Sequence, residues 1–320
     1  VTDIAVVVEH HDGAVAEVTF ELLARARALA AACGGRVLAV AVGSPLARVA
    51  AELGAADLAV LCEDPGLAPY TPDAHQRALE NVLARYRPRA TLVASTTVGI
   101  DLAGGLAGAL GWPLVAYCVD VRFQGDALVA TSQIYGGKIL ADAEVAGPTA
   151  VLAVLPGAGA ADEGRAPGPP PVEEVPAPAH TPRVRFKRWL RPEGGDVDIT
   201  REPVLVAVGR GLGGPEHLPL AEELAALLGG VVAASRPVVD QGWLPRTRQV
   251  GKSGMTVKPR LYVALGISGA PEHLEGMRQA GLIVAINSDA RAPIFDVAHY
   301  GVVGDLFEVV PALTEKLRAR

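Results

Sequence analysis

Aromatic residues are scarce in this chain: five Phe, three Trp and six Tyr among 320 residues, 4% in all. Half of the residues are nonetheless apolar, so the core must be assembled from Ala, Val and Leu. Small aliphatic cores of that kind suit parallel sheets covered by helices on both faces. Cysteine is rarer still. Cys33, Cys62 and Cys118 stand too far apart for a zinc motif or a disulfide framework, so they read as reduced core residues, and no metal site is expected. No apolar run approaches the roughly 20 residues that span a bilayer, which excludes membrane insertion by a helix. Positive charge is not in surplus either. The formal net charge is −6 at pH 7, and basic residues gather only at Arg183–Arg191, so there is no electrostatic footprint for nucleic acid. A strand pattern begins almost at residue 1, leaving no room for a targeting signal. The expected location is the cytoplasm.

What is present is a regular alternation of strand and helix signals. Strand patterns at Ile4–Glu9, Val37–Val42, Leu58–Cys62 and Thr91–Ala94 alternate with helical ones. The helices run over Val18–Cys33, closed by Gly34 and Gly35, then Ala47–Leu53, Pro72–Tyr86 and Gly99–Leu110. Thr71 and Pro72 form a cap and first-turn pair. After a strand at Leu114–Val121 the pattern turns to extended pieces at Ala127–Tyr135, Ile139–Val145 and Thr149–Leu155, an antiparallel addition to a mostly parallel sheet. Residues 1–155 thus form an N-terminal α/β domain. Residues 156–183 are dominated by Pro, Gly and Ala without apolar periodicity and read as an exposed linker. Residues 184–200 are a connecting segment of uncertain structure. From residue 201 to 320 the alternation resumes, with strands at Val204–Val208, Val231–Ala234, Leu261–Leu265, Leu282–Ile286 and Tyr300–Val303. Its helices cover Leu218–Leu228, about Pro271 to Ala280, and the C-terminal stretch from Leu306. The fold class is α/β: two Rossmann-like open parallel-sheet domains joined by a Pro/Gly-rich linker.

In such sheets ligands bind beyond the carboxyl ends of the strands. In the second domain those ends carry Gly209–Gly214 with Arg210, then Ser235 and Arg236, and Gly266–His273. The next two carry Asn287 with Asp289, and Asp305 with Leu306. Val250, Gly251, Lys252 and Ser253 follow the second strand. Taken singly each residue has a plain explanation: a turn glycine, a solvated arginine, a surface histidine, an Asp305 that caps a helix. Five successive strand ends dressed with glycine and polar groups point instead to one extended, phosphate-bearing ligand. Glycine lets the backbone approach it, and free N–H groups face its anion.

Specific motifs sharpen this. Gly-Ile-Ser-Gly-Ala-x-x-His at Gly266–His273, Ile-x-Ala-Ile-Asn-x-Asp at Ile283–Asp289, Ala-Pro-Ile-Phe at Ala292–Phe295 and Tyr-Gly-x-Val-x-Asp-Leu at Tyr300–Leu306 closely resemble the alpha subunit of electron transfer flavoproteins. Gly209–Leu212, Ala234–Arg236 and Gln249–Gly251 extend the likeness upstream. Val8–His10, Asp101–Ala103 and Ile134–Lys138 carry it more loosely into the first domain. The resemblance implies an FAD held by residues 201–320 and a heterodimer with a beta subunit that itself binds AMP or a second FAD. It implies that Arg210 contacts the phosphates, that Ser268, Gly269 and Ala270 lie along the ribityl–pyrophosphate part, and that Pro271 and Glu272 also belong to the cofactor site. Asn287, Asp305 and Leu306 serve the adenosine end. Ser235, Arg236, Val250, Gly251, Lys252, Ser253 and His273 surround the flavin ring. A protonated or donating His273, with Arg236, would stabilise an anionic flavin semiquinone electrostatically. Ser253 would hydrogen-bond the central ring nitrogen. Relatives usually carry Gln where this chain has Lys252. Either the ammonium faces the ring and favours reduced flavin, or it turns outward into solvent.

The function so implied is an electron carrier and not a catalyst with its own substrate, and no nucleophile–base–acid constellation is seen. It would take electrons from acyl-CoA dehydrogenases of fatty acid beta-oxidation, or similar flavin dehydrogenases, and pass them to a membrane quinone oxidoreductase. An alternative is the alpha subunit of an electron-bifurcating, NADH-oxidising complex. A generic nicotinamide-dependent dehydrogenase fits less well. It needs an acidic residue about 20 positions past a Gly-x-Gly-x-x-Gly, whereas Arg236 stands near the next strand end.

Overall fold

A computed structural model describes residues 2–135, 137–179, 183–188 and 197–319. The chain divides into two compact units, one within residues 1–188 and the other within 189–320.

In the first unit, β1 (Ile4–Val7) leads through a small hairpin, β2 (His10–His11) and β3 (Ala14–Val15), into α1 (Glu17–Cys33). Helix α1 ends where Gly34 turns into the left-handed region. Then follow β4 (Val37–Gly43), α2 (Ala47–Ala51), β5 (Leu58–Glu63), α3 (Pro72–Tyr86), β6 (Ala90–Ala94), α4 (Thr97–Leu110), β7 (Leu114–Gln124), β8 (Ala127–Ile134), β9 (Ile139–Glu144), β10 (Val151–Val154) and β11 (Val172–Glu174). The nine-stranded sheet has the order β11-β5-β4-β1-β6-β10-β7-β8-β9, parallel except for the β7–β8–β9 meander. Strands buried on both faces, such as β4 with every residue buried, explain the near-continuous Val/Ala/Leu runs. Strand order reverses between β1 and β6. There the hydroxyl of Thr96, which also caps α4, donates to the Glu9 carboxylate at 2.6 Å and ties the two strand ends together.

Three local readings are corrected here. Residues 156–179 do not form a free connector. Strand β11 pairs in parallel with β5 at the sheet edge, and Val175 is buried. Gly164 packs on the backbone of Phe20, and Arg165 stacks over the Phe20 ring. Proline blocks a helix but not an edge strand, where one ladder face needs no partner. Of the expected linker, residues 180–182 lie outside the described residues, as do residues 189–196 of the connecting segment. Thr71 precedes α3 with extended backbone but makes no side-chain cap. Its carbonyl instead meets His75 Nδ1 at 3.1 Å, and burial pushes the His75 pKa down to about 4. Cys62 and Cys118 are buried, whereas Cys33 is only half-buried at the end of α1.

The second unit contains β12 (Val204–Val208), α5 (Leu218–Leu227), β13 (Val231–Ala234), α6 (Arg236–Asp240), β14 (Leu261–Leu265), α7 (Pro271–Glu275), β15 (Leu282–Asn287), β16 (Tyr300–Val303) and α8 (Leu306–Arg318). Its five strands are all parallel, in the order β13-β12-β14-β15-β16. Alternate residues feed the two faces: Leu205 and Ala207 join one apolar cluster, Val206 and Val208 the other. Full burial of each such Val or Leu stabilises the unit by about 1.5–3 kcal/mol. Helix α7 stops at Glu275 and not near Ala280, because Gly276 follows and a glycine interrupts helical propagation. The sequence reading had no helix at Arg236–Asp240. No helix among the described residues is long and apolar enough to cross a membrane.

Candidate functional site

The first strand of the second unit, β12, is flanked by the second, β13, on one side and the third, β14, on the other, so the chain changes direction between β12 and β14. A crevice is expected at that switch point beyond the carboxyl ends. A cleft of about 680 Å³ opens there. Its floor is made by two glycine turns in contact. A Cβ on Gly211 would lie 2.8 Å from the Gly266 Cα, and Gly266 itself has φ +62°. The Gly211 amide donates to the Gly266 carbonyl at 3.1 Å. Side chains at these positions would push the loops apart.

Twelve of the sixteen residues picked from sequence line this one cleft: Arg210, Ser235, Arg236, Val250, Gly251, Lys252, Ser253, Ser268, Ala270, Glu272, His273 and Asn287. Four do not. Gly269 sits under Ile294, and Pro271 opens α7. The Asp305 carboxylate accepts the Phe307 amide at 2.9 Å as the cap of α8, the plainer of the two roles weighed for it, and Leu306 joins the apolar cluster beneath. Gly209, Gly211, Pro237, Gly266 and Ile267 also line the cleft. The glycines were legible as turn formers and Ile267 lies within the Gly266–His273 motif, but nothing local marks Pro237.

The side chains hold defined positions. Gln249, almost fully buried, donates from Nε2 to Ser253 Oγ at 2.9 Å and orients that hydroxyl toward a second partner. Asn287 donates from Nδ2 to the Ile267 carbonyl at 2.9 Å and accepts the Asp289 amide at 2.9 Å, pinning the end of β15 to the Gly266 turn. Arg236 pairs with Asp240 one helical turn on, at 3.2 Å. Arg210 has neither an ion-pair nor a hydrogen-bond partner among the described residues. Three cations (Arg210, Arg236, Lys252) thus face one carboxylate (Glu272) across the cleft, a balance that favours an anionic ligand.

His273 is buried, and its Nε2 is hydrogen-bonded to the hydroxyl of the fully buried Tyr262 at 2.9 Å. Burial pushes its pKa down to about 4, a Val250 backbone group opposing the shift. The neutral imidazole is therefore the resting form, which narrows the choice between a protonated and a donating ring to the second. Because the folded pKa lies below the unfolded value of about 6.5, the unfolded chain binds the extra proton. Stability is full above that value, falls as pH drops from about 6.5 toward 4, and levels off below. His273→Gln is expected to remove on the order of 2–3 kcal/mol of this acid sensitivity. Urea midpoints at pH 7.5 and pH 5 for the two proteins measure it. His75 adds a similar titration in the first unit, so part of the slope persists.

Comparison with known proteins gives the family. The family described as Electron transfer flavoprotein domain matches residues 4–180. The Electron transfer flavoprotein FAD-binding domain family matches residues 198–278. An electron transfer flavoprotein subunit alpha from Mycobacterium tuberculosis is 39% identical over 323 residues, spanning 99% of both chains. Its counterpart from Bacillus subtilis is 35% identical over 312 residues, 97% of this chain and 95% of the relative. Protein FixB of Bradyrhizobium diazoefficiens is 36% identical over 340 residues, 98% of this chain and 88% of that one.

Proposed function

This chain belongs to the electron transfer flavoprotein alpha-subunit family, and from that premise we propose that the cleft of the second unit holds FAD for electron transfer in a heterodimer with a beta subunit. The observation that carries the reading is the glycine-floored cleft at the β12/β14 switch point, with Arg210 at its edge unpaired among the described residues and an excess of positive charge. A dinucleotide needs both parts: backbone close enough to contact a pyrophosphate, and a guanidinium free to take it in a bidentate grip.

FAD supplies the redox chemistry when bound. The chain's own residues bind and orient it. Arg210 takes the phosphates, with Ser268 and Ala270 along the linker between phosphates and ring, and Gly269 and Pro271 shaping that loop from behind. Asn287 holds the adenosine end, and Asp305 and Leu306 support it through the start of α8. At the ring end, Arg236 and Lys252 supply positive charge, Ser253 presents the hydroxyl that Gln249 orients, and the neutral His273 offers a hydrogen bond. Ser235, Val250 and Gly251 close the wall, while Glu272 limits the net charge. The beta subunit is expected to carry AMP. Electron donors would be acyl-CoA dehydrogenases or other flavin dehydrogenases, and the acceptor a quinone oxidoreductase.

Co-expression with the beta subunit and an absorption spectrum of the purified complex test the reading. One FAD per heterodimer is the expected result. A colourless complex overturns the site, and two flavins per heterodimer would replace the simple carrier with the bifurcating alternative.

A further inference from the structure

Gln249 and Ser253 belong to a loop closed by its own backbone. The Met255 amide donates to the Gln249 carbonyl at 2.7 Å, and the Gly251 amide to the Met255 carbonyl at 3.1 Å. The Val250 amide donates to the Ala234 carbonyl at 2.8 Å and anchors the loop to the end of β13. Within it, Gln249 Nε2 donates to Ser253 Oγ at 2.9 Å. The two side chains have different surroundings. Ser253 is exposed and lines the cleft, whereas Gln249 is only 4% exposed and does not line it. A serine hydroxyl has one proton and two lone pairs. Gln249 occupies one lone pair, and among the described residues no group accepts the Ser253 proton. That proton is available to a ligand in the cleft. A carboxamide turned the other way would take the proton on its oxygen and leave Ser253 only lone pairs to offer.

We propose that Gln249 is a positioning residue: by donating to Ser253 Oγ from outside the cleft, it fixes that hydroxyl as a hydrogen-bond donor toward the bound flavin ring. The inference rests on the FAD reading above. The sense of the bond matters as much as its length. The central ring nitrogen of oxidised flavin carries a lone pair, and it stays an acceptor when one electron arrives without a proton. A donor aimed at it holds the electron-rich ring more tightly, because hydrogen bonds to a charged partner are stronger than neutral ones. A nitrogen that took a proton from solvent would itself become a donor, facing the Ser253 proton. Ser253 would then have to turn its proton away from the ring, with no group of the loop to accept it, which penalises that form. Gln249 thus biases the site toward electron uptake without proton uptake, although it does not line the cleft.

Midpoint potentials for the first electron, measured on the FAD-loaded complex with its beta subunit, test the coupling once flavin content has been recorded for each variant. Ser253→Ala removes the donor and is expected to lower the potential. Gln249→Met keeps the length of the side chain without its amide, frees the hydroxyl to turn, and should lower the potential by a smaller amount. A loop that merely loses packing would shift the potential whether or not the hydroxyl is there. The decisive comparison is therefore the size of the Gln249→Met shift in two backgrounds. It should be at least about twofold larger with Ser253 present than in the Ser253→Ala background. Gln249→Leu, also apolar and of similar volume, serves if the Met variant does not fold. Equal shifts in both backgrounds, a rise in potential, or no shift at full FAD occupancy overturn the role of Gln249 and leave the cofactor site standing. Failure of the unmodified complex to take up FAD overturns the site itself and the inference with it.

Discussion

Arg210→Ala is expected to weaken FAD binding by about 10- to 150-fold, the loss of one charge-assisted contact worth about 1.5–3 kcal/mol. Arg210 stands exposed on the turn after β12 and lines the cleft. With no partner to lose among the described residues, its removal should leave the folding stability of the apoprotein within about 0.5 kcal/mol of the original. That split separates a ligand contact from a structural one. Titrating FAD against the apoprotein by flavin fluorescence gives the affinity, and a urea melt gives the stability. Arg210→Lys should recover only part of the affinity, because an ammonium is a point charge without the planar fork of a guanidinium. Unchanged affinity in the alanine variant would remove Arg210 from the phosphate site.

Gly269→Ala acts through the backbone and is expected to destabilise the second unit by roughly 3–5 kcal/mol. Two costs coincide there. The residue has φ +85°, and a Cβ would stand 2.6 Å from the Ile294 Cα. Neither side can yield easily: Ile294 is fully buried and its amide donates to the Ser268 carbonyl at 3.0 Å. The strand-end loop would have to lift off the segment at Pro293–Asp296. Ser268 and Ala270 both line the cleft, so FAD affinity should fall together with the denaturation midpoint. A variant that keeps its midpoint would show that the loop has room the structure does not display.

Much of this was legible in the chain itself. The strands of the second unit match their expected bounds to within a residue, because buried β-branched runs between glycine and polar turns are local signals. Twelve of the chosen side chains meet in one cleft because strand ends in a parallel sheet all point the same way. The misses have physical causes. Residues 172–174 carry two glutamates beside a proline run, which reads as solvent-exposed chain. Only the open edge of β5 turns them into a strand. The polar, helix-permitting run after Pro271 looks like a longer helix, yet Met277 and Ala280 are buried beyond the end of α7 and not from a helical face. Asp305 and Leu306 carry a motif that the structure uses at the start of α8, outside the residues that line the cleft.

Composition, period and punctuation along the chain were sufficient to determine an Ala/Val/Leu core, alternating strands and helices, and glycine-rich turns after the strands, since each depends on neighbours within a few positions. The folded arrangement alone decided that β12 and β14 lie side by side, so that the Arg210 and Ser268 loops share one cleft. It also decided that His273 is buried, and so neutral, beside the Tyr262 hydroxyl, and that Glu275 lies beside Lys252. Those facts depend on crossover direction, burial and contacts between residues far apart in the chain. A local window contains none of that information.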